Sequence, residues 1–421
     1  MDYTRRLVDE TLDEWLPELP AIALEGAKGV GKTATAGQRA REVFSLDRST
    51  TQLSVAQDPE IVLASTATTF IDEWQLVPSV WDVVRRAVDD GAGPGRFLLA
   101  GSAGLPPQAR VHSGAGRIVR LLMRPMSLPE RGIESPTVSL AGLLAGERDG
   151  LGGATDLSTP DYVDEILRSG FPAIRQASPS VRGHLLDSYV DRVVDHDLAE
   201  AGARVRRPAT LRGWLAAYGA ATATTASYAA ILQAATPGED AKPAKQTAMG
   251  YRDLLERLWV LDPLPAWVPT FAHLVRLGQS PKHHLVDPAL AARLVGASQV
   301  SLIRGDGPAG YDGTFLGALF ESLAVQTIRV LAQANSARTY HMRLQGGDHE
   351  VDVIVELPDL RVLAIEAKVS PIVRPADVAH LNWLEAQLPG RVVDKVIVNT
   401  GDRAYRRTDG VAVVPLALLG L

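Results

Sequence analysis

Residues 26–33 read Gly-Ala-Lys-Gly-Val-Gly-Lys-Thr and fill every fixed position of the pattern G-x-x-x-x-G-K-[ST]. Such a loop needs a strand before it and a helix after it. Its glycines let backbone N–H groups curl around phosphate oxygens, and the helix N-terminus adds positive potential. Both neighbours are present: an apolar run, Ala21–Leu24, precedes the loop, and a helix-forming stretch follows it. The expected cradle is Gly26, Ala27, Lys28, Gly29, Val30 and Gly31, continued by Lys32, Thr33 and Ala34. Lys32 would reach the β- and γ-phosphates, and the Thr33 hydroxyl would ligate Mg²⁺. ATP and Mg²⁺ are the expected cofactors.

Two further apolar runs end in polar residues. The first, Thr68 to Glu73, closes on Asp72 and Glu73. Asp72 would hold Mg²⁺ through water, and Glu73 would polarise the attacking water. The second, Phe97 to Ser102, puts Ser102 in a position to sense the γ-phosphate; the alternative for Ser102 is a simple strand-end cap. An arginine should complete the charge at the transition state. Arg117 is the first candidate and Arg120 the second, with action in cis or in trans left open. Strands alternating with helices over this region predict a parallel α/β sheet.

Composition removes other classes. The chain has 421 residues and no cysteine, which excludes disulfides, Cys-ligated zinc and a thiol nucleophile. Net charge is −6, so contact with nucleic acid would need a local basic patch. Such a patch is offered by Arg204, Arg206, Arg207 and Arg212 beside Trp214; the alternative is a solvated interdomain segment. The N-terminal residues lack an apolar signal core, and no run is read as long enough for a membrane span. A cytoplasmic protein without membrane contact is therefore expected. Arg greatly outnumbers Lys, so retained lysines are expected where a compact, titratable charge is needed; Lys32 and Lys368 both fall in motifs.

The expected organisation has four parts. Residues 1–135 form the P-loop α/β domain, and 136–205 a helical lid or linker. In 206–275, helices run into a β-ribbon and predict a winged-helix-like unit. Residues 276–421 form a second α/β domain with mixed strands.

An ordered set of motifs resembles a known family. After the phosphate loop come Phe70-Ile71-Asp72-Glu73-Trp74-Gln75, Leu98-Leu99-Ala100-Gly101-Ser102 and the stretch Gly116–Glu130. Then follow Ser169-Gly170-Phe171-Pro172, the Lys282–Leu290 stretch (K-x-x-x-x-D-x-x-L) and the pair Asp352 and Glu366-Ala367-Lys368. Together they resemble the bacterial and archaeal AAA+-like ATPases that carry a C-terminal domain of unknown function. Lys28-Gly29 departs from that family, which often has Arg-Gln there. The resemblance implies an ATPase module, a winged-helix-like middle and a C-terminal domain similar to PD-(D/E)XK nucleases, with a restriction-endonuclease-like α/β fold.

On that reading Asp352 and Glu366 would bind Mg²⁺ or Mn²⁺, and Glu321 would complete the metal shell. Lys368 would position the attacking water. The alternative is a structural ion pair, Asp352 with Lys368. His283 and His284 are adjacent and would face apart, which disfavours a shared metal. The expected function is an ATP-hydrolysing protein that couples nucleotide state to a nuclease-like domain acting on DNA or RNA. The alternative is an ATP-gated switch that binds nucleic acid or a protein partner through an inactive C-terminal domain.

Overall fold

A computed structural model describes residues 3–102, 114–200, 202, 207–235, 245–268, 280–305, 314–344 and 346–421. Near the N-terminus, Ala21–Glu25 (β1), Glu42–Ser45 (β2), Thr69–Asp72 (β3), Phe97–Gly101 (β4) and Val119–Leu122 (β5) form one sheet, ordered β2-β3-β4-β1-β5. Every pairing is parallel. β3 and β4 are buried along their whole length, which is why they read as unbroken apolar runs. One face packs on helix Ser79–Asp89 through Val80, Trp81, Val83 and Val84. Because β4 lies between β1 and β3, the phosphate loop, Asp72-Glu73 and Ser102 all emerge at one edge. That is the carboxyl edge of the sheet, where α/β sheets bind ligands.

Helices follow from Leu140. Thr159–Arg168 and Pro179–Arg192 lead into a π-helical turn, Val193–Asp197. Pro208–Ala220, Tyr228–Ala235 and Lys245–Arg257 come next. An antiparallel ribbon then joins Leu261 to Leu285 and Leu264 to Lys282.

The C-terminal region starts with helix Thr314–Ala334. Val138–Ser139 (β6) lies apart from its sheet, which is built from Arg338–Arg343 (β7), Glu350–Glu356 (β8), Val362–Lys368 (β9), Val392–Asn399 (β10), Tyr405–Arg406 (β11) and Ala412–Pro415 (β12). The order is β11-β12-β10-β9-β8-β7, and the sheet is mixed: β7, β8 and β9 run antiparallel, whereas β9, β10 and β12 run parallel. Leu419–Gly420 (β13) pairs with β6, so residues 138–139 are tied to this region.

Helix Thr314–Ala334 corrects one expectation, because by length and composition it could cross a membrane. Its apolar face instead packs inside the protein: Leu319, Phe320, Leu323, Ile328 and Leu331 are fully buried. A core helix meets the same criterion as a span.

A buried ionic clasp joins three regions. Arg124, just after β5, bonds Asp262 of the ribbon at 2.7 Å, and Arg329 of helix Thr314–Ala334 lies 3.0 Å from the same carboxylate. Beside it, Gln333 Nε2 donates to Leu122 O at 2.8 Å and Leu128 N to Thr327 Oγ1 at 3.2 Å.

Candidate nucleotide site and the C-terminal acid cluster

Gly26, Gly29 and Gly31 take φ values of +146°, +81° and +108°. These values let the chain turn back on itself between β1 and the helix Lys32–Gly37. Gly26 is doubly constrained: a Cβ there would lie 2.2 Å from Met123 O. Lys32 Nζ donates to Gly26 O at 2.7 Å and Ala27 O at 2.8 Å, bridging the loop from inside. Burial lowers the Lys32 pKa to about 8, with Glu73 and Asp72 pulling the other way.

Thr33 Oγ1 donates to Asp72 Oδ2 at 2.8 Å, so the two expected magnesium-side residues do meet. Burial raises the Asp72 pKa, and the Thr33 hydroxyl opposes that rise. A hydroxyl and a carboxylate side by side are hard oxygen donors and fit Mg²⁺ in company with water and phosphate oxygens. Glu73 sits in the left-handed region at φ 52°, a conformation that costs energy for a non-glycine residue. Its carboxylate accepts from Gln75 Nε2, and from Ser102 Oγ at 3.2 Å. Ser102 is thus placed on the proposed water-activating residue.

Lys28 turns away from the cradle. Its Nζ lies 2.6 Å from Asp197 Oδ1 and 3.3 Å from Glu200 Oε2. Arg117 stands at the far edge of the sheet. β5 begins at Val119, level with Ile22 near the amino end of β1, so Arg117 lies at the edge of the sheet opposite the phosphate loop. In its own chain its partner is Asp89, at 2.8 Å. Arg120 pairs with Glu25 at 3.3 Å.

Arg6 and Tyr3 carried no signal in the motif reading, whereas Glu130, Gly170-Phe171-Pro172 and Asp287 fall in the motifs above. Arg6 is buried and donates to Val30 O at 2.9 Å and to Arg124 O at 2.9 Å. Glu130 accepts from Leu7 N at 2.7 Å, Ser127 N at 2.7 Å and Ser127 Oγ at 2.7 Å, so the acid of Pro125–Glu130 holds the N-terminal segment against the loop. The Gly170-Phe171-Pro172 motif covers the loop from above: Phe171 Cδ1 lies 3.7 Å and Pro172 Cγ 4.0 Å from Cβ atoms built on Gly29 and Gly31. A cavity of about 910 Å³ opens beside Gly31, Ala34 and Thr35, walled by Tyr3, Arg175 and Arg182 from flanking segments. Asp287 closes the frame. It accepts from Gly170 N at 2.6 Å and caps the next helix through Ala289 N at 2.8 Å.

In the C-terminal region the structure brings Glu321, Asp352 and Glu366 together but adds a residue no metal reading requires. Lys282 Nζ is bound by Glu321 at 2.7 Å, Glu350 at 2.8 Å and Asp352 at 2.9 Å. Lys368 pairs instead with Glu366 at 2.7 Å. Burial and the nearby Asp352 push both Glu321 and Glu366 up to about 8. Burial acts on Asp352 too, but Lys282 and Lys368 outweigh it and hold the carboxyl below its usual range. Among the described residues, no group of three or more His, Asp or Glu has the arrangement of a metal site. In this arrangement the Lys282 ammonium engages Glu321 and Asp352, two of the three carboxylates expected to hold a divalent ion. His283 and His284 face apart, toward Ala226 O and Ser322 Oγ respectively. In the basic cluster Arg212 is engaged by Asp191 and Asp195, both at 2.8 Å, and Trp214 is buried; Arg204 and Arg206 lie outside the described residues.

Comparison with known proteins gives three family matches along the chain. Residues 18–131 match the family model of an AAA domain, so the N-terminal part is a P-loop domain of AAA type. Residues 159–301 and 316–419 match two families described as domains of unknown function, DUF8612 and DUF4143. Over 365 residues the chain is 28% identical to two uncharacterised mycobacterial proteins, Rv2008c of Mycobacterium tuberculosis and Mb2031c of Mycobacterium bovis; the match covers 84% of this chain and 71% of each relative. A solved structure, the Walker-type ATPase paby2304 of Pyrococcus abyssi, aligns with a TM-score of 0.40 at 14% identity, over 70% of this chain and 96% of that one.

Proposed function

We propose that the chain is an ATP-hydrolysing switch. The observation that carries this reading is the contact of Thr33 with Asp72, made at the end of a complete phosphate loop whose Gly31 and Ala34 border a cavity of about 910 Å³. Backbone N–H groups of residues 26–33 would hold the phosphates, with Lys32 releasing its two carbonyls to meet them. Thr33 and Asp72 would hold Mg²⁺, which supplies charge neutralisation between the phosphates when bound. Glu73 would orient and deprotonate the attacking water once nucleotide draws it away from Ser102 and Gln75. The cavity between Ala34, Tyr3 and Arg175 would take the base and ribose. Arg117, remote from the loop of its own chain, would serve a neighbouring copy.

The response to nucleotide would pass along two contacts. Lys28 joins the loop to the helical segment at Asp197, and the Arg124–Asp262–Arg329 clasp joins the end of β5 to the C-terminal helix. The three helices and ribbon of 208–286 are read as a winged-helix-like unit that receives this signal. The C-terminal domain would be the output, binding a nucleic-acid or protein partner. Cleavage by that domain is not favoured, because its carboxylates are engaged by Lys282.

The test is ATP turnover and binding in three proteins. Lys32→Ala should lose ATP binding. Glu73→Gln should bind ATP normally and lose at least ~100-fold in hydrolysis, as expected on removing a general base. Full turnover in Lys32→Ala would sink the reading.

A further inference from the structure

Lys282 reaches into the C-terminal domain from the ribbon and is 1% exposed. Its three acceptors come from two elements, Glu321 from helix Thr314–Ala334 and Glu350 and Asp352 from β8. An ammonium has three N–H donors and no acceptor. Three carboxylate oxygens at 2.7–2.9 Å therefore use it completely. A Mg²⁺ or Ca²⁺ ion needs oxygens at about 2.0–2.6 Å, from the same carboxylates. It would have to sit within a few ångströms of a buried ammonium, and like charges at that range repel strongly where water is excluded. The remaining acid, Glu366, is engaged through one oxygen only. Glu366 Oε1 takes Lys368, and Asp352 Oδ2 takes Ala367 N at 3.0 Å. Glu366 Oε2 is buried without a hydrogen-bond partner.

We propose that Lys282 is the resident cation of this acid cluster: its ammonium holds the position a divalent metal would need, and the C-terminal domain works without one. The cluster is then an ionic joint that fixes the ribbon to helix Thr314–Ala334 and β8. The joint does not depend on ATP binding, so it stands or falls separately from the switch described above. It also accounts for the lysine in the K-x-x-x-x-D stretch: Lys282 secures one side of the ribbon, and Asp287, five residues on, secures the other through Gly170.

The test uses manganese alone, without nucleotide, in full-length protein carrying Asp72→Asn to remove the metal ligand of the ATPase domain. Calorimetry or the Mn²⁺ spin-resonance signal reads binding. The expected result is no saturable site up to millimolar Mn²⁺. Adding Lys282→Gln should create one site, raise Tm on Mn²⁺ addition, and lose the site again when Asp352→Asn is combined with it. A folded Lys282→Gln protein that gains no site overturns the claim that the ammonium holds a cation position. If Asp72→Asn alone binds Mn²⁺ stoichiometrically and Asp352→Asn or Glu366→Gln abolishes that binding, the cluster is a metal centre and the inference fails. Should Lys282→Gln not fold, the Asp72→Asn measurement decides by itself: no site supports the joint, and a site sensitive to Asp352→Asn overturns it.

Discussion

Lys28 Nζ and Asp197 Oδ1 lie 2.6 Å apart, so the phosphate loop is held to a π-helical turn 169 residues further along the chain. π-Helical turns concentrate at functional sites, and here the turn presents a nearly buried carboxylate. The ion pair keeps one positive charge of the loop away from the phosphate cradle. Asp197→Asn should release it, and ATP should bind more tightly than to the wild type. Lys28→Met should bind ATP more weakly. Titration with ATP separates the two; equal weakening in both variants would mean that the pair only braces the helices.

Gly26 has no room for a side chain. Gly26→Ala would drive a methyl group into Met123 O and require φ +146° of an L-residue. Relief means moving the loop or the segment after β5. The expected outcome is loss of ATP binding, with strain of about 1–3 kcal/mol showing as a lowered Tm. Circular dichroism melting alongside nucleotide titration checks both.

Asp262 is shared by two buried arginines. Asp262→Asn leaves Arg124 and Arg329 without a counter-charge, and breaking a buried pair in this way costs roughly 3–5 kcal/mol. In the wild type, burial pushes the carboxyl up but Arg124 and Arg329 outweigh it and bring its pKa to about 2. A depressed carboxylate stabilises above its unfolded pKa, and that contribution is lost as pH falls through the range from about 4 to about 2. Urea unfolding between pH 2 and 6 should show this acid loss in the wild type and a flatter profile in Asp262→Asn.

Glu366 titrates in the opposite sense. Its folded pKa of about 8 exceeds the ordinary carboxylate value. The folded state then binds more protons than the unfolded state, so its contribution declines as pH rises from about 4.5 to 8. Glu366→Gln removes the titration and keeps the shape. It should melt higher than the wild type at pH 8 and show little difference at pH 5. A pH-independent difference would place the effect in packing.

Arg117 should act between copies. Arg117→Ala and Glu73→Gln are each expected to hydrolyse ATP poorly. Mixed together they should recover part of the rate, because a Glu73 from one chain meets an Arg117 from the other. Wild-type turnover by Arg117→Ala alone would leave Arg117 as the Asp89 partner and nothing more.

Local order in the chain made the candidate nucleotide site readable. Residues 26–33 are contiguous, and Asp72 and Ser102 each end an apolar strand, so composition and periodicity located them without knowledge of packing. The parallel sheet followed from the same runs. Lys282 was harder to read. It lies in the K-x-x-x-x-D stretch of a chain where lysine is scarce, yet its acceptors lie 39, 68 and 70 residues away. Nothing local distinguishes an acid that faces a metal from one that faces an ammonium. Arg6 was hidden for the same reason: its partners Val30 O, Arg124 O and the Glu130 carboxylate come close only through the fold. Arg117 looked catalytic because of its neighbours in sequence, whereas strand register decides which end of the sheet it occupies.

The clasp at Asp262 also bears on how such chains can be taken apart. Arg124 lies in the stretch that a nucleotide-binding fragment would need, whereas its carboxylate comes from the ribbon and its fellow arginine from the C-terminal helix. A fragment ending near residue 135 would keep the phosphate loop but would turn a charged, formerly interior face to solvent. Its neighbours there, Leu121 and Leu128, are 2% and 1% exposed in the intact chain. The nucleotide domain is thus not a detachable cassette, and grafting it onto another output domain would require carrying the ribbon and the long helix with it.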